Sequence, residues 1–259
     1  MTASSRRGAI LDLLTRNGFV EVPSLQRQLG CSEATIRRDL DQLQREGRLR
    51  RTHGGAVREG QRERALTTKV HESVAEKEAI AAAAVQMVPD GAAVGLGGGT
   101  TTQYVARALV GRTGLTVVTN AINIAIELAS KDIRMIVTGG ELRSETYELV
   151  GPLAEPAASQ LHLDIIFVGV DGLSAEGGLT THNPIEARVD RVLIDQANEV
   201  VVVADHSKLG RKTFARIAPI EVAHTLITDR DADPALVREL ERAGVRVIIA
   251  AGEPTPKQE

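Results

Sequence analysis

The sequence holds one cysteine, Cys31, and no tryptophan, and aromatics are only 2% of its 259 residues. A lone cysteine excludes an intramolecular disulfide framework and fits a reducing, cytoplasmic setting. It also cannot build a structural zinc site. So few aromatics leave no stacking platform for single-stranded nucleic acid. No apolar run approaches the length of a membrane span, and the opening MTASSRRGAI has no signal-peptide core, so no membrane partner is expected. The first sixty residues contain no lysine. They carry eleven arginines against seven acidic residues, a balance of +4, and with a total of −3 the rest of the chain carries −7. A basic head on an acidic body suggests that the head meets a polyanion.

What is present in the head is a trio of short helical patterns. Ile10, Leu11 and Leu14 form one apolar face, ended by Asn17-Gly18. A second helix begins near Pro23-Ser24 and is stopped by Gly30. Ser32 is a fit N-cap for a third, with Glu33 in its first turn. Ile36, Leu40 and Leu43 stand at i, i+4 and i+7 on that helix, a buried stripe that leaves Thr35, Arg37 and Arg38 near its start and off the stripe. This is the pattern of a helix-turn-helix, whose recognition helix reads base edges in the major groove. Short extended runs on either side of Gly54-Gly55 predict a hairpin wing, which sets Arg48, Arg50 and Arg51 where DNA phosphates pass and adds His53 to the DNA-binding residues.

The run Ser32-Glu33-Ala34-Thr35-Ile36-Arg37-Arg38-Asp39-Leu40, with Leu43, Gly47 and Arg51-Thr52-His53-Gly54-Gly55-Ala56, resembles the DNA-binding head of DeoR-type bacterial transcriptional regulators. The resemblance implies double-stranded operator DNA as a partner.

Residues 58–75 are polar and weakly periodic and read as a linker between a DNA-binding domain over 1–57 and a second domain over 76–252. Residues 253–259, with Pro254 and Pro256, read as a disordered tail. Within 76–252, strands and helices alternate, with strands expected at 92–96, 115–119, 133–138, 164–170, 199–204, 224–228 and 245–250. Continuous Val/Ile runs of this kind predict a doubly wound, mostly parallel α/β sheet covered on both faces. The fold expected overall is an N-terminal winged helix-turn-helix joined to that sheet.

The polar residues then fall at strand ends. Gly97, Gly98, Gly99, Thr100 and Thr101 follow one strand, Asn120 the next, and Gly139-Gly140-Glu141 a third. Asp171-Gly172 and Asp205–Lys208 follow two more. In open α/β sheets ligands bind outside the carboxyl ends of strands. The loop Gly95–Thr101 leaves a strand and enters a helix, as a phosphate cradle does: backbone N–H groups turn toward an anion and the helix N-terminus adds positive potential. It is neither the dinucleotide fingerprint nor a P-loop, because Thr100 stands where the former needs glycine and no lysine follows Gly99.

This loop resembles the phosphate loop of ribose-5-phosphate isomerase, and the body resembles the sensor domain of the DeoR-type regulators, which shares that fold. The regulators often have serine where Gly98 stands. Val118-Thr119-Asn120, Gly139–Leu142, Val170–Gly172, Gly178–Thr181 and Ala204–Lys208 extend the match, from about Arg6 to Asp229. The resemblance implies a regulator, most simply a repressor of carbohydrate-metabolism genes, controlled by a phosphorylated sugar or sugar-like effector. Lys208 would lie near the phosphate, with Asp171, Glu186 and Asp205 on hydroxyls. An isomerase would use Glu186 as base, but the isomerase's lysine ahead of its glycine run has no counterpart: Glu176 precedes Gly177-Gly178. Binding without turnover is therefore expected, with no cofactor. None of the six histidines shows metal-ligand spacing, so no metal is expected either. A single short head contacts few bases, which predicts a homo-oligomer, a dimer or a higher even assembly, formed through the acidic body.

Overall fold

A computed structural model of the chain describes residues 2–17, 19–52, 54–58 and 66–251, the side chains of 4, 15–17, 50, 52, 57 and 58 excepted. The chain divides into two compact units, Met1–Arg64 with Lys212–Phe214, and Ala65–Arg211 with Ala215–Glu259.

The head runs α1 (Ala3–Asn17), β1 (Phe19–Glu21), α2 (Val22–Leu29), α3 (Glu33–Arg45), β2 (Leu49–Thr52) and β3 (Gly55–Arg58). Gly30 ends α2 in the left-handed conformation, φ 63°, and the Ser32 hydroxyl caps α3 by accepting from the Thr35 N–H. The expected stripe of α3 is the core: Ile36, Leu40 and Leu43 are buried with Ile10, Leu14, Leu25 and Leu49. Cys31 packs at the edge of this cluster, and its thiol lies 3.3 Å from the Leu29 carbonyl oxygen. The wing is a three-stranded antiparallel sheet, not the two-stranded hairpin expected, because β1 pairs with β3 (Val20 with Ala56) as well as β2 (Arg51 with Ala56). A strand of three residues between two helices has no alternation long enough to read.

The body begins earlier than the sequence suggests. Part of the expected 58–75 linker is ordered into it: α4 (Leu66–Lys69) buries Leu66, whose N–H donates to the Glu145 carbonyl. Residues 59–65 and the expected tail over 253–259 lie outside the described residues. Then follow α5 (Val74–Val85), β4 (Ala93–Leu96), α6 (Thr100–Ala108), β5 (Thr116–Thr119), α7 (Ile122–Leu128) and β6 (Arg134–Val137). A hairpin, β7 (Glu141–Arg143) and β8 (Glu148–Val150), leads to α8 (Ala154–Ala158) and β9 (Leu163–Val168). A second excursion, β10 (Gly172–Ser174) and β11 (Gly178–Thr181), precedes α9 (Pro184–Asp195) and β12 (Ala197–Val203). The rest is a 3-10 turn (His206–Lys208), β13 (Ala215–Ala218), a second 3-10 turn (Ile220–Val222), β14 (Thr225–Asp229), α10 (Pro234–Arg242) and β15 (Arg246–Ala250).

Seven strands form one sheet in the order β15-β14-β12-β9-β4-β5-β6, every neighbouring pair parallel. Its central strands are buried residue after residue, as in Ile165–Val168 and Val200–Val203, while edge strand β6 is half-exposed. That is the signature of a sheet covered on both faces. The seven strand positions agree with the expected ones to within about two residues. The antiparallel pieces β7–β8 and β10-β11-β13 are additions that the alternation of strands and helices conceals.

Candidate functional site

On the head, α3 turns its N-terminal half outward. Ser32, Glu33, Arg37, Arg38 and Arg48 are exposed, with Thr35 half-buried beneath them. Arg37 forms an i,i+4 ion pair with Glu33 at 2.6 Å, half-exposed at both ends. Such a pair is worth only about 0.3–0.5 kcal/mol, so a stronger anion can take Arg37 from it. Arg51 is placed differently from expectation. It is half-buried, and its guanidinium donates to Asp41 (2.6 Å) and to the Arg37 carbonyl (3.2 Å), both on α3. Arg51 therefore braces the wing against the helix rather than facing outward for phosphate. Behind α3, Arg6 pairs with the buried Asp39. His53 and the Arg50 side chain lie outside the described residues.

In the body, the strand order reverses between β4 and β9: β5 and β6 continue one way, β9, β12, β14 and β15 the other. The loop that leaves β4 bends back onto β9, with the Gly97 N–H donating to the Phe167 carbonyl at 3.0 Å, and it meets the loop after β9, where a Cβ on Gly169 would lie 3.1 Å from the Gly98 carbonyl oxygen. Gly99, at φ 122°, is the N-cap of α6, a backbone that only glycine adopts without strain. Thr100 and Thr101 open that helix and are buried.

Around this crevice the charges sit in close pairs. Asp171 accepts from Lys69 Nζ at 2.7 Å and from the Thr181 hydroxyl at 3.2 Å, with His182 Nε2 at 3.9 Å. Burial pushes its carboxyl up, but Lys69, His182 and Lys208 outweigh burial and hold it at about 2. Glu186, fully buried on α9, accepts from Arg143 Nε and from the Thr146 hydroxyl, each at 2.6 Å. One turn further on α9, Asp190 is buried with one carboxyl oxygen lacking a partner. A Cβ placed on Gly97 would lie 3.6 Å from that oxygen. Burial, then the charges of Glu186 and Asp171, raise the Asp190 carboxyl well above the ordinary range.

The remaining cations complete the site. Lys77, buried in α5, donates to the Lys69 and Glu72 carbonyls. Burial lowers its ammonium, and the charge of Asp205 counters this. Asp205 itself caps the 3-10 turn by accepting from the Ser207 N–H, and Lys208 closes that turn, half-exposed.

The expected residues thus divide. Gly97–Thr101, Asn120, Asp171, Glu186, Asp205 and Lys208 lie at the strand-end loops or on the helix that follows them. Gly140 and Gly172 are consumed by packing: a Cβ at either would lie 2.7 Å from a carbonyl oxygen, that of Val150 or Arg211. Glu141 is exposed on β7. The β7–β8 hairpin instead sends in Arg143, Thr146 and Glu148. These three, with Lys69, Lys77, Thr181 and Asp190, are residues that sequence reasoning missed. Of them only Asp190 had a local signal, its i+4 spacing from Glu186 on a helix. His206 pairs with Asp229 (2.9 Å), and with Asp231 these residues bring possible ligand atoms within 4.8 Å of one another.

The chain matches the family model described as the DeoR-like helix-turn-helix domain over residues 6–62, and the one described as the DeoR C terminal sensor domain over 72–230. It is 40% identical over 250 residues to the HTH-type transcriptional regulator GlpR of Haloferax volcanii, covering 96% of this chain and 98% of that protein. It is 33% identical over 234 residues to the glycerol-3-phosphate regulon repressor of Escherichia coli K12, covering 88% and 92%. Ribose 5-phosphate isomerase A of Methanocaldococcus jannaschii aligns over 51% of this chain and 52% of its own, at 21% identity and a TM-score of 0.38, a likeness too slight to add weight.

Proposed function

This chain belongs to the DeoR family of transcriptional regulators, and from that premise we propose that it is a repressor of carbohydrate-metabolism genes whose crevice senses a phosphorylated sugar or sugar-like metabolite. The observation that carries the reading is the Gly97–Thr101 loop at the point where strand order reverses, opening onto the N-terminus of α6. Backbone N–H groups and the helix dipole there favour an anion. Asp171 and Asp205, with Lys208, stand at the neighbouring strand ends and suit hydroxyls, while Glu186 is held by Arg143 and Thr146. Arg37 and Arg38 read base edges, and Arg48 meets phosphates.

The chain acts as a homo-oligomer, a dimer or higher even assembly, since paired heads match paired half-sites. It works in the cytoplasm, in keeping with a described structure in which no helix is long and apolar enough to cross a membrane. It binds its ligand without turning it over: Glu186, which an isomerase would use as its base, is already engaged by Arg143 and Thr146.

A thermal-shift screen of phosphorylated sugars beside their unphosphorylated parents tests the reading. A ligand at about a hundred times its Kd stabilises by about 2.7 kcal/mol, which a melting curve resolves. Stabilisation confined to phosphorylated compounds supports it, and stabilisation by the unphosphorylated parents alone ends it. Turnover of ribose 5-phosphate by the same sample would reinstate an enzyme.

A further inference from the structure

The space a phosphate would use at Gly98 is already filled from within the chain. A Cβ built on Gly98 would lie 2.1 Å from both Cδ and Oε1 of Glu148, and 2.4 Å from its Cγ. Gly98 is not in the left-handed region, so a side chain here would meet Glu148 rather than an unfavourable backbone angle. Glu148 is more than nine-tenths buried, and its other carboxylate oxygen accepts from Asn120 Nδ2 at 3.4 Å. Its position is set by backbone register. Glu148 bridges to Ala121, and the Leu149 N–H donates to the Asn120 carbonyl, so β8 lies along the segment that leaves β5.

We propose that Glu148 is an internal anion that occupies the phosphate loop when no effector is bound, and that the effector's phosphate must displace it. The proposal rests on the phosphate reading of the loop. A carboxylate has the charge sign the loop favours, and this one lays Oε1 against Gly98 while Asn120 holds the other oxygen. Burying one costs free energy that an apolar side chain at 148 would not. A phosphate and the Glu148 carboxylate cannot share the loop, on grounds of both volume and charge.

Displacement has a route outward. Glu148 is paired across the hairpin with Arg143, the residue that holds Glu186. Moving Glu148 therefore disturbs the Arg143–Glu186 pair at the other end of the crevice. The turn joining the two strands ends at Tyr147, a non-glycine residue at φ 59°. Such a conformation is strained, and a rearrangement of the hairpin relieves it.

The experiment uses the full chain and two readouts. In the first, Gly98→Ala and Glu148→Ala are combined in a thermal double-mutant cycle. Gly98→Ala should lower the melting temperature in the parent and do so far less in the Glu148→Ala background; additive effects would show that Glu148 does not fill the loop. In the second, inorganic phosphate is titrated calorimetrically at constant ionic strength into the parent, Glu148→Gln and Glu148→Ala. Glu148→Gln keeps the volume and removes the charge, and should bind phosphate on the order of tenfold more tightly than the parent. Glu148→Ala should bind at least as tightly as Glu148→Gln. Equal binding by all three overturns the displacement while leaving the phosphate loop standing. No binding by any of them overturns both.

Discussion

Helix α3 of the head and helix α9 of the body are nearly equal in length, 13 and 12 residues, and each is capped by a polar side chain, Ser32 and Asn183. They differ in the charges they offer a ligand, although α3 also buries one carboxylate, Asp39, against Arg6. α3 buries its apolar stripe and turns Arg37 and Arg38 to solvent, whereas α9 turns Glu186 and Asp190 inward. Exposed cations keep their hydration until a phosphate backbone arrives, and their attraction is long-ranged and tolerant of position. Buried carboxylates must be paired at short distance, as Glu186 is by Arg143, or are pushed toward the neutral form, as burial and its acidic neighbours do to Asp190. The first arrangement suits a long polyanion, the second a small ligand whose groups are read one at a time.

Removing charge from each helix separates the two roles. The double variant Arg37→Ala, Arg38→Ala should lose about 1–3 kcal/mol of specific DNA binding per base contact, a loss of roughly a hundredfold or more for the pair. Fluorescence anisotropy on a selected DNA site measures it, while the melting of the body stays unchanged. Full affinity in that variant would mean that α3 is not the reading helix.

In the crevice, Asp171→Asn should cost roughly 2–3 kcal/mol at neutral pH. The folded value of about 2 lies below the ordinary 3.8, so this stability is complete above about pH 4 and disappears as pH falls through about 2. Denaturant melts of parent and variant should converge at the acid end. Asp190→Asn should act with the opposite sign. Burial, then Glu186 and Asp171, raise the folded carboxyl above its unfolded value, so the parent loses stability as pH rises above about 3.8. The variant should gain on the parent from pH 4 upward, and a flat difference between the two melts would contradict the raised carboxyl.

The smallest effect is local to the head. Ser32→Ala removes the cap that receives the Thr35 N–H and should cost about 1 kcal/mol, read by denaturant melts of parent and variant followed through a probe on the head.

Legibility followed the range of the interactions. Ser32, the stripe Ile36-Leu40-Leu43 and the continuous strands Ile165–Val168 and Val200–Val203 are local patterns, and the sequence displays them. The strand-end loops could be placed because each follows such a strand. The other half of the crevice depends on partners distant in the chain. Lys69 meets Asp171 across 102 residues, from a stretch whose polarity reads as linker. Arg143, Thr146 and Glu148 come from a hairpin of three-residue strands, too short for alternation to register. Arg51 looked like one more wing cation because nothing local reveals its grip on Asp41.

If the head reads DNA and the crevice reads a phosphorylated metabolite, as proposed, each binding event must alter the other. Linkage makes this measurable with a single pair of titrations, DNA affinity with and without the stabilising phosphorylated ligand, and ligand affinity with and without DNA. The account predicts that ligand weakens DNA binding by a factor that DNA imposes equally on ligand binding. DNA affinity that is unchanged at saturating ligand would contradict it.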